Sequence, residues 1–457
     1  MVACLAAVLV TGSQAAGATD LEDGIRAGVA RHKEATIADR RWFHEHPELG
    51  NHEIETANRI AETLEELGLL VERGVGVTGV LGLLDSGQPG PTVAIRAEMD
   101  ALPVQEAEDS ENPVRSKSVG RMHACGHDVH MASGLGAARV LVDLRQQLRG
   151  RVLFVFQPAE EGIPPDEKRA LKEATGSDRV GANRLTHLDR ILERFDVAAI
   201  FGQHGFPTHP AGTLGIMPEY ALAAADSFEL VIRGRSAHAG VSPWLGSDVL
   251  NIAAGVVQDL HTLPARQTDP RNPKVVSVSM LDCTDGRTNI LCRTARLSGT
   301  VRTFRPEDRR DLREGIERVL DAAVKARDPK AGRCRRGGDP YALCWEIESY
   351  DAYGPPVRQD RSLLAWSAGV LAASLGEDHV IDVPPSLGAE DFAYYCEVIP
   401  CAFFSLGTSP KGGTGGLHTP SYAPDERALP VGVQTLATLA AHFLMDEDRP
   451  GAAAPQP

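Results

Sequence analysis

The sequence predicts an α/β protein: a larger mixed-sheet domain interrupted by a smaller α+β sandwich. Three observations carry this. Helical and strand patterns alternate through the first half of the chain. From about Leu222 the order becomes strand, helix, strand, strand, helix, strand. After Pro355-Pro356 the alternation returns. At 457 residues there is material for two or three domains and a sizeable core. The expected division is 20–220 and 355–447 for the larger domain and 221–354 for the insertion, with a leader at 1–19 and a disordered tail at 448–457.

In chain order, residues 21–45 and 53–69 are charged amphipathic stretches with helical spacing. Residues 77–84 form an apolar run broken by glycines. Residues 92–96 and 152–156 are short, rich in β-formers and bounded by Gly or Pro, as buried strands are. Between them, residues 131–148, small and apolar with a basic end, read as a helix. A further strand at 197–201 runs into Gly202-Gln203-His204. In the insertion, 227–232, 275–281, 296–303 and 343–350 read as strands and 247–260 and 307–326 as helices, which fits an antiparallel sheet backed by helices. Residues 431–445 read as the closing helix.

A net charge of −15 argues against nucleic acid or an anionic membrane as partner, since both repel an acidic surface. No apolar segment after the N-terminus is read as a membrane span. Eight cysteines over this length are too sparse for a disulfide scaffold, and a reduced, cytoplasmic setting is expected. Residues 2–10 form a short apolar stretch followed by Ala-Gly-Ala, but no Lys or Arg precedes it. A leader is therefore expected, with a secretory signal as the alternative.

Residues 121–130, Arg-Met-His-Ala-Cys-Gly-His-Asp-Val-His, pack a thiol, three imidazoles and a carboxylate into ten positions. Thirty residues on, Gln157-Pro158-Ala159-Glu160-Glu161-Gly162 ends an apolar run with paired carboxylates. Thiolate, imidazole and carboxylate are the donors that zinc and its neighbours take, and zinc, manganese and cobalt all accept such a mixed set. A further carboxylate beside the donors is what an activated water needs as proton acceptor. In open α/β sheets functional residues sit beyond strand C-termini, where Asp100, Glu160, Glu161 and His204 are expected.

Six segments stand in one order. They are His46-Pro47-Glu48-Leu49-Gly50 with Glu53 and Thr56, Arg96 to Pro103, Met122 to Asp128, Phe156 to Gly162, Gly299 to Phe304 and Gly388 to Phe392. Together they resemble the amidohydrolase branch of the aminoacylase/carboxypeptidase metallopeptidase family, from about His46 to the last helix. The resemblance implies a catalytic metal-binding domain carrying an inserted lid or dimerisation domain. It implies two divalent ions held by Cys125, His127, Glu161, His204 and His418, with Cys125 bridging. Glu160 would be the general base, Asp100 the carboxylate that orients a ligand, and His238 the oxyanion donor. Asn289 and Arg302 would hold the substrate, and Gly388 and Gly407 would line the pocket. Implied too are an N-acyl amino acid or peptide-like substrate and a homodimer formed through the inserted domain.

This chain departs from the family pattern in carrying extra residues at 163–180, Cys292 where a proline is usual, and Glu98 for an aspartate. His123, Asp128 and His130 are expected to support the site. Three rival readings remain: a dipeptidase or carboxypeptidase of the same family, a non-catalytic metal or ligand-binding module, and a thiol hydrolase using Cys125 with His127.

Overall fold

The computed structural model describes residues 3–410 and 415–451, with side chains from residue 20. The chain divides into two compact units, Met1–Glu219 with Arg358–Pro384 and Tyr394–Pro457, and Tyr220–Val357 with Pro385–Ala393. Pro385–Ala393, which holds Gly388, thus joins the smaller unit, whereas the sequence reading gave it to the larger one.

The larger unit is built on an eight-stranded sheet. Its order is Leu70–Val75, Gly79–Asp85, Arg151–Gln157, Thr92–Glu98, Val197–Pro210, Cys401–Ser409, Leu214–Ile216, Val380–Asp382. The four central strands, Arg151–Gln157 to Cys401–Ser409, run parallel. Thr92–Glu98 is buried at every position, which explains its unbroken rather than alternating pattern. Strand Val197–Pro210 continues well past the expected end at residue 201, because Cys401–Ser409 pairs beside it and places Ser405 opposite His204. His204 therefore projects from within a strand and not from a loop beyond it.

Helices His127–Asp143 and Ala428–Met445 pack side by side on the sheet, and Ala3–Glu45 packs against both. The leader expected at 1–19 falls on the backbone of that first helix from Ala3 onward. Its side chains, Met1, Val2 and residues 452–457 of the expected tail lie outside the described residues. Ala428–Met445 is long and apolar enough to cross a membrane, contrary to the sequence reading, but 72% of it is buried. A helix enclosed by other elements is apolar all round for that reason alone.

The smaller unit is a five-stranded sheet, ordered Gly332–Arg333, Cys344–Gly354, Ala224–Arg233, Thr294–Thr303, Lys274–Asp282. Helices Val249–Arg266 and Pro306–Lys325 cover it. Alternate residues Phe228, Leu230 and Ile232 lie opposite Gly299, Leu297 and Ala295 and pack with Ile252, Val256, Leu260, Leu312, Ile316 and Leu320. Asp248 caps the first helix by accepting from Asn251 N at 3.2 Å.

The expectation that the cysteines are too sparse for disulfides is overturned. Six cysteines pair as Cys283–Cys292, Cys334–Cys344 and Cys396–Cys401, each between near neighbours in sequence. Among the described residues, only Cys125 is free.

Candidate metal centre

The site grows from the C-terminal ends of Thr92–Glu98 and Arg151–Gln157. Beyond the second strand the chain turns sharply, with positive φ at Ala159 (51°) and Gly162 (87°). Two buried carboxylates hold this turn by its backbone. Glu53 accepts from Ala159 N at 2.8 Å, while the two oxygens of Asp100 accept from Glu160 N at 3.0 Å and Glu161 N at 2.9 Å. Three successive N–H groups are thus satisfied, which fixes the directions in which Glu160 and Glu161 leave the backbone.

Asp100 also orients His127. The ring Nδ1 lies 2.8 Å from the Asp100 carbonyl and 3.4 Å from its carboxylate. A carbonyl only accepts, so Nδ1 carries a hydrogen, and Nε2 is the atom left to bind a cation once it is deprotonated. That Nε2 is buried, has no hydrogen-bond partner and lies 3.8 Å from Glu160 Oε2. Gly126 (φ 89°) lets the Cys125-Gly126-His127 segment turn into its helix. A Cβ there would be strained and would meet the Tyr422 hydroxyl at 2.8 Å.

His204 is set by the same logic: Nδ1 donates to Gly205 O at 2.9 Å, and Nε2 faces Cys125 Sγ at 3.3 Å. His418 brings its Nε2 to 3.2 Å from Cys125 Sγ and 3.0 Å from Glu161 Oε1. It does so with φ at 62°, a backbone state uncommon outside glycine that is tolerated where surroundings enforce it. His418 N also donates to Ala124 O at 2.8 Å. The result is two donor triads, Cys125 with His127 and His204, and Cys125 with Glu161 and His418. Each has donor atoms within 4.8 Å of one another, and both share the Cys125 sulfur.

The electrostatics follow from burial and crowding. Burial, then the charges of Glu161 and Glu160, push the Cys125 thiol well above its usual range. Burial alone would lower His127, but the Asp100 hydrogen bond and the surrounding carboxylates outweigh it and raise His127 to about 10. Burial and then the neighbouring His130 push His204 well down. The donor set fits a divalent cation: it combines thiol, imidazole and carboxylate, and the buried His127 Nε2 has no hydrogen-bond partner.

Behind the donors stand supporting residues, His130 and Asp128 as expected, with partners that the sequence did not disclose. Buried Glu98 pairs with Arg96 and accepts from His130 Nδ1 at 3.0 Å, and His130 Nε2 accepts from Gly205 N at 2.7 Å, steadying the backbone beside His204. Asp128 is held by Arg40 at 3.0 Å and His44 at 2.8 Å. Glu53 was seen only as part of a motif; its burial and its hold on Ala159 have no signature in composition or spacing.

The three remaining expected residues lie in the smaller unit. His238 and Asn289 occupy adjacent exposed loops joined where Ala239 N donates to Asn289 O at 2.9 Å. His238 Nδ1 accepts from Gly240 N and Val241 N at 3.2 and 3.1 Å. Arg302 lies on Thr294–Thr303 opposite Ala225 and Val275, partly buried, and burial lowers its pKa. The extra residues at 163–180 include an exposed helix, Pro165–Thr175, whose Glu167 contacts His52 at 2.9 Å.

Known proteins share this architecture and sequence. The chain is 34% identical over 415 residues to the IAA-amino acid hydrolase ILR1-like 2 of Arabidopsis thaliana, covering 90% of this chain and 86% of the relative. It is 35% identical over 402 residues to the N-acetylcysteine deacetylase of Bacillus subtilis, covering 88% and 94%. The crystal structure of the Bacillus subtilis YXEP protein, described as a dinuclear metal binding peptidase from the M20 family, superposes with a TM-score of 0.72 at 33% identity, covering 91% of this chain and 99% of that one. Residues 94–442 match peptidase family M20/M25/M40, so the resemblance read from the six motifs is borne out and the chain belongs to that family.

Proposed function

We propose that the protein is a metal-dependent amidohydrolase that cleaves N-acyl amino acids or similar small amide conjugates. Two divalent ions, of zinc, manganese or cobalt character, are held by Cys125, His127, Glu161, His204 and His418. The observation that carries this reading is the pair of donor triads meeting at one sulfur, with Glu160 beside them. Cations held there would supply Lewis-acid polarisation of the scissile carbonyl and a lowered pKa for the attacking water.

The chain's own groups do the rest. Glu160 accepts a proton from the attacking water and delivers it to the leaving nitrogen, so its carboxylate ends the cycle as it began. Asp100 keeps Glu160 and Glu161 aimed through their backbone and His127 through its ring. His238 accepts two N–H groups at Nδ1, so its proton resides on Nε2, the form that donates to a developing oxyanion. Asn289 and Arg302 hold the substrate, Arg302 suiting its carboxylate. The smaller unit, residues 221–354 in the sequence reading, acts as lid and homodimer contact. Three cysteine pairs favour the secreted alternative over the cytoplasm, because such bonds persist in oxidising compartments.

The test is metal-reconstituted protein assayed on hippurate, N-acetyl amino acids, indole-acetyl conjugates and free dipeptides, beside Glu160→Gln. Turnover of the acylated substrates, abolished by chelation and reduced roughly 100- to 10,000-fold in the variant with metal retained, is expected. Glu160→Gln turning over at the native rate would overturn the base assignment. Metal binding with no hydrolysis of any substrate would overturn the enzyme reading.

A further inference from the structure

Cys283 and Cys292 enclose the loop that carries Asn289. Cys283 follows strand Lys274–Asp282 and Cys292 precedes strand Thr294–Thr303, so the pair sits at the neck of a hairpin. Below the neck, Arg287 and Ile290 exchange backbone hydrogen bonds at 3.1 and 3.0 Å and turn the chain, with Asn289 inside the turn. The Asp285 carboxylate adds a second tie, accepting from Arg293 N at 3.1 and 3.2 Å. Cys292 is buried in the small unit's core, whereas the turn residues are exposed.

The far side of the hairpin is the platform for the His238 loop. Ala239 N donates to Asn289 O, Leu291 N to Ala237 O at 3.0 Å, and the Ser236 hydroxyl to Leu291 O at 2.7 Å; His238 itself bridges Ile290. Thus residues 236–239 dock as a short strand on residues 289–291. A ring closed at its neck has few conformations to explore, and what it fixes in Asn289 it fixes through these bonds in His238.

We propose that the Cys283–Cys292 disulfide is a positioning element that holds Asn289 and His238 in one arrangement for the substrate. The proposal rests on the reading of those two residues as substrate contacts. A dithiol reductant would open the clamp: the S–S bond takes two electrons and two protons to give two thiols, and the dithiol closes to its own cyclic disulfide.

The experiment compares metal-loaded full-length protein with a Cys283→Ser/Cys292→Ser variant, a Cys334→Ser/Cys344→Ser control in the same unit, and wild type reduced while folded. Peptide mapping of the untreated protein is expected to find Cys283 bonded to Cys292. In the first variant, and in reduced wild type, kcat/KM is expected to fall roughly ten- to a hundredfold. Metal content should hold, and amide exchange should quicken together at 286–291 and 237–241. The control should stay within about twofold of wild type on both readouts. Free or metal-bound thiols at 283 and 292 in untreated protein would overturn the proposal, as would unchanged exchange and kcat/KM after the bond is removed. If the serine variant fails to fold, reduced wild type decides. His238→Ala and Asn289→Ala in bridged protein separate the two readings: native kcat/KM in both would sink the contact assignment, while exchange still reports on the clamp.

Discussion

Glu53 is the group whose titration should be written most visibly into stability. It is fully buried, accepts from Ala159 N and the Thr78 hydroxyl, and sits near Asp100. Burial first, then the Asp100 charge, raises its pKa from 4.5 to about 8. The sign follows directly. Between these values the native protein keeps a proton that the unfolded chain has lost, so stability falls as pH rises through this window and the full cost is felt above the upper value. That shift corresponds to an upper bound of about 5 kcal/mol. Glu53→Gln mimics the protonated acid: its carbonyl oxygen still accepts from Ala159 N, and its amide can donate to the Thr78 oxygen. The assay is urea unfolding of chelator-treated protein from pH 5 to 9, because bound cations would alter the local field. The variant should match wild type within about 1 kcal/mol at pH 5 and exceed it by several at pH 9. An unchanged pH slope would refute the titration argument. A variant weaker by more than about 2 kcal/mol at pH 5 would show instead that the turn needs the ionised carboxylate.

Arg40→Met removes a fully buried guanidinium that lies 3.0 Å from Asp128 and donates to Asn112 at 2.7 Å. Leaving Asp128 with an uncompensated charge should cost about 3–5 kcal/mol in urea unfolding, whereas a neutral result would mean His44 alone suffices. Gly407→Ala places a Cβ 2.1 Å from Pro210 O and 2.6 Å from the Thr213 hydroxyl, so the strand pair must part. The loss should be about 1–3 kcal/mol, read as a lower thermal midpoint.

What the sequence disclosed, and what it hid, divide along physical lines. Glu160 and Glu161 stand out because carboxylates that end an apolar strand need a reason to be there, and Cys125 and His127 because thiol and imidazole two residues apart are metal donors. Where His204 falls could not be read locally, since its strand lengthens only by pairing with residues 401–409, two hundred positions away. The pairing of Arg96 with Glu98 behind His130 was equally hidden, because a buried charge and an exposed one are the same letter until the core closes over them. The cysteine pairs did leave a signal in their separations of nine, ten and five residues, which an overall count obscured. Pro385–Ala393 joins the smaller unit through Ala223 N, which donates to Ser386 O and Gly388 O, a tie no periodicity announces.

The centre's own charge balance leads to a prediction about loading. Without cations, Arg96 offsets Glu98, while the site also carries a proton on His127, raised to about 10, and Cys125 is kept a neutral thiol. His204, pushed well down, is already neutral and has no proton to give. Both His127 Nε2 and Cys125 must be deprotonated to act as donors, so at pH 7.5 loading should expel about two protons from these residues. Calorimetric titration of zinc into chelator-stripped protein, in two buffers of different ionisation enthalpy, reads that number. Cys125→Ala should release about one fewer, and Glu160→Gln, whose carboxylate is not a donor, should leave the count unchanged. Zero release from wild type would mean the thiol stays protonated beside the cations, and with it the shared sulfur would lose its place as the bridge between the two triads.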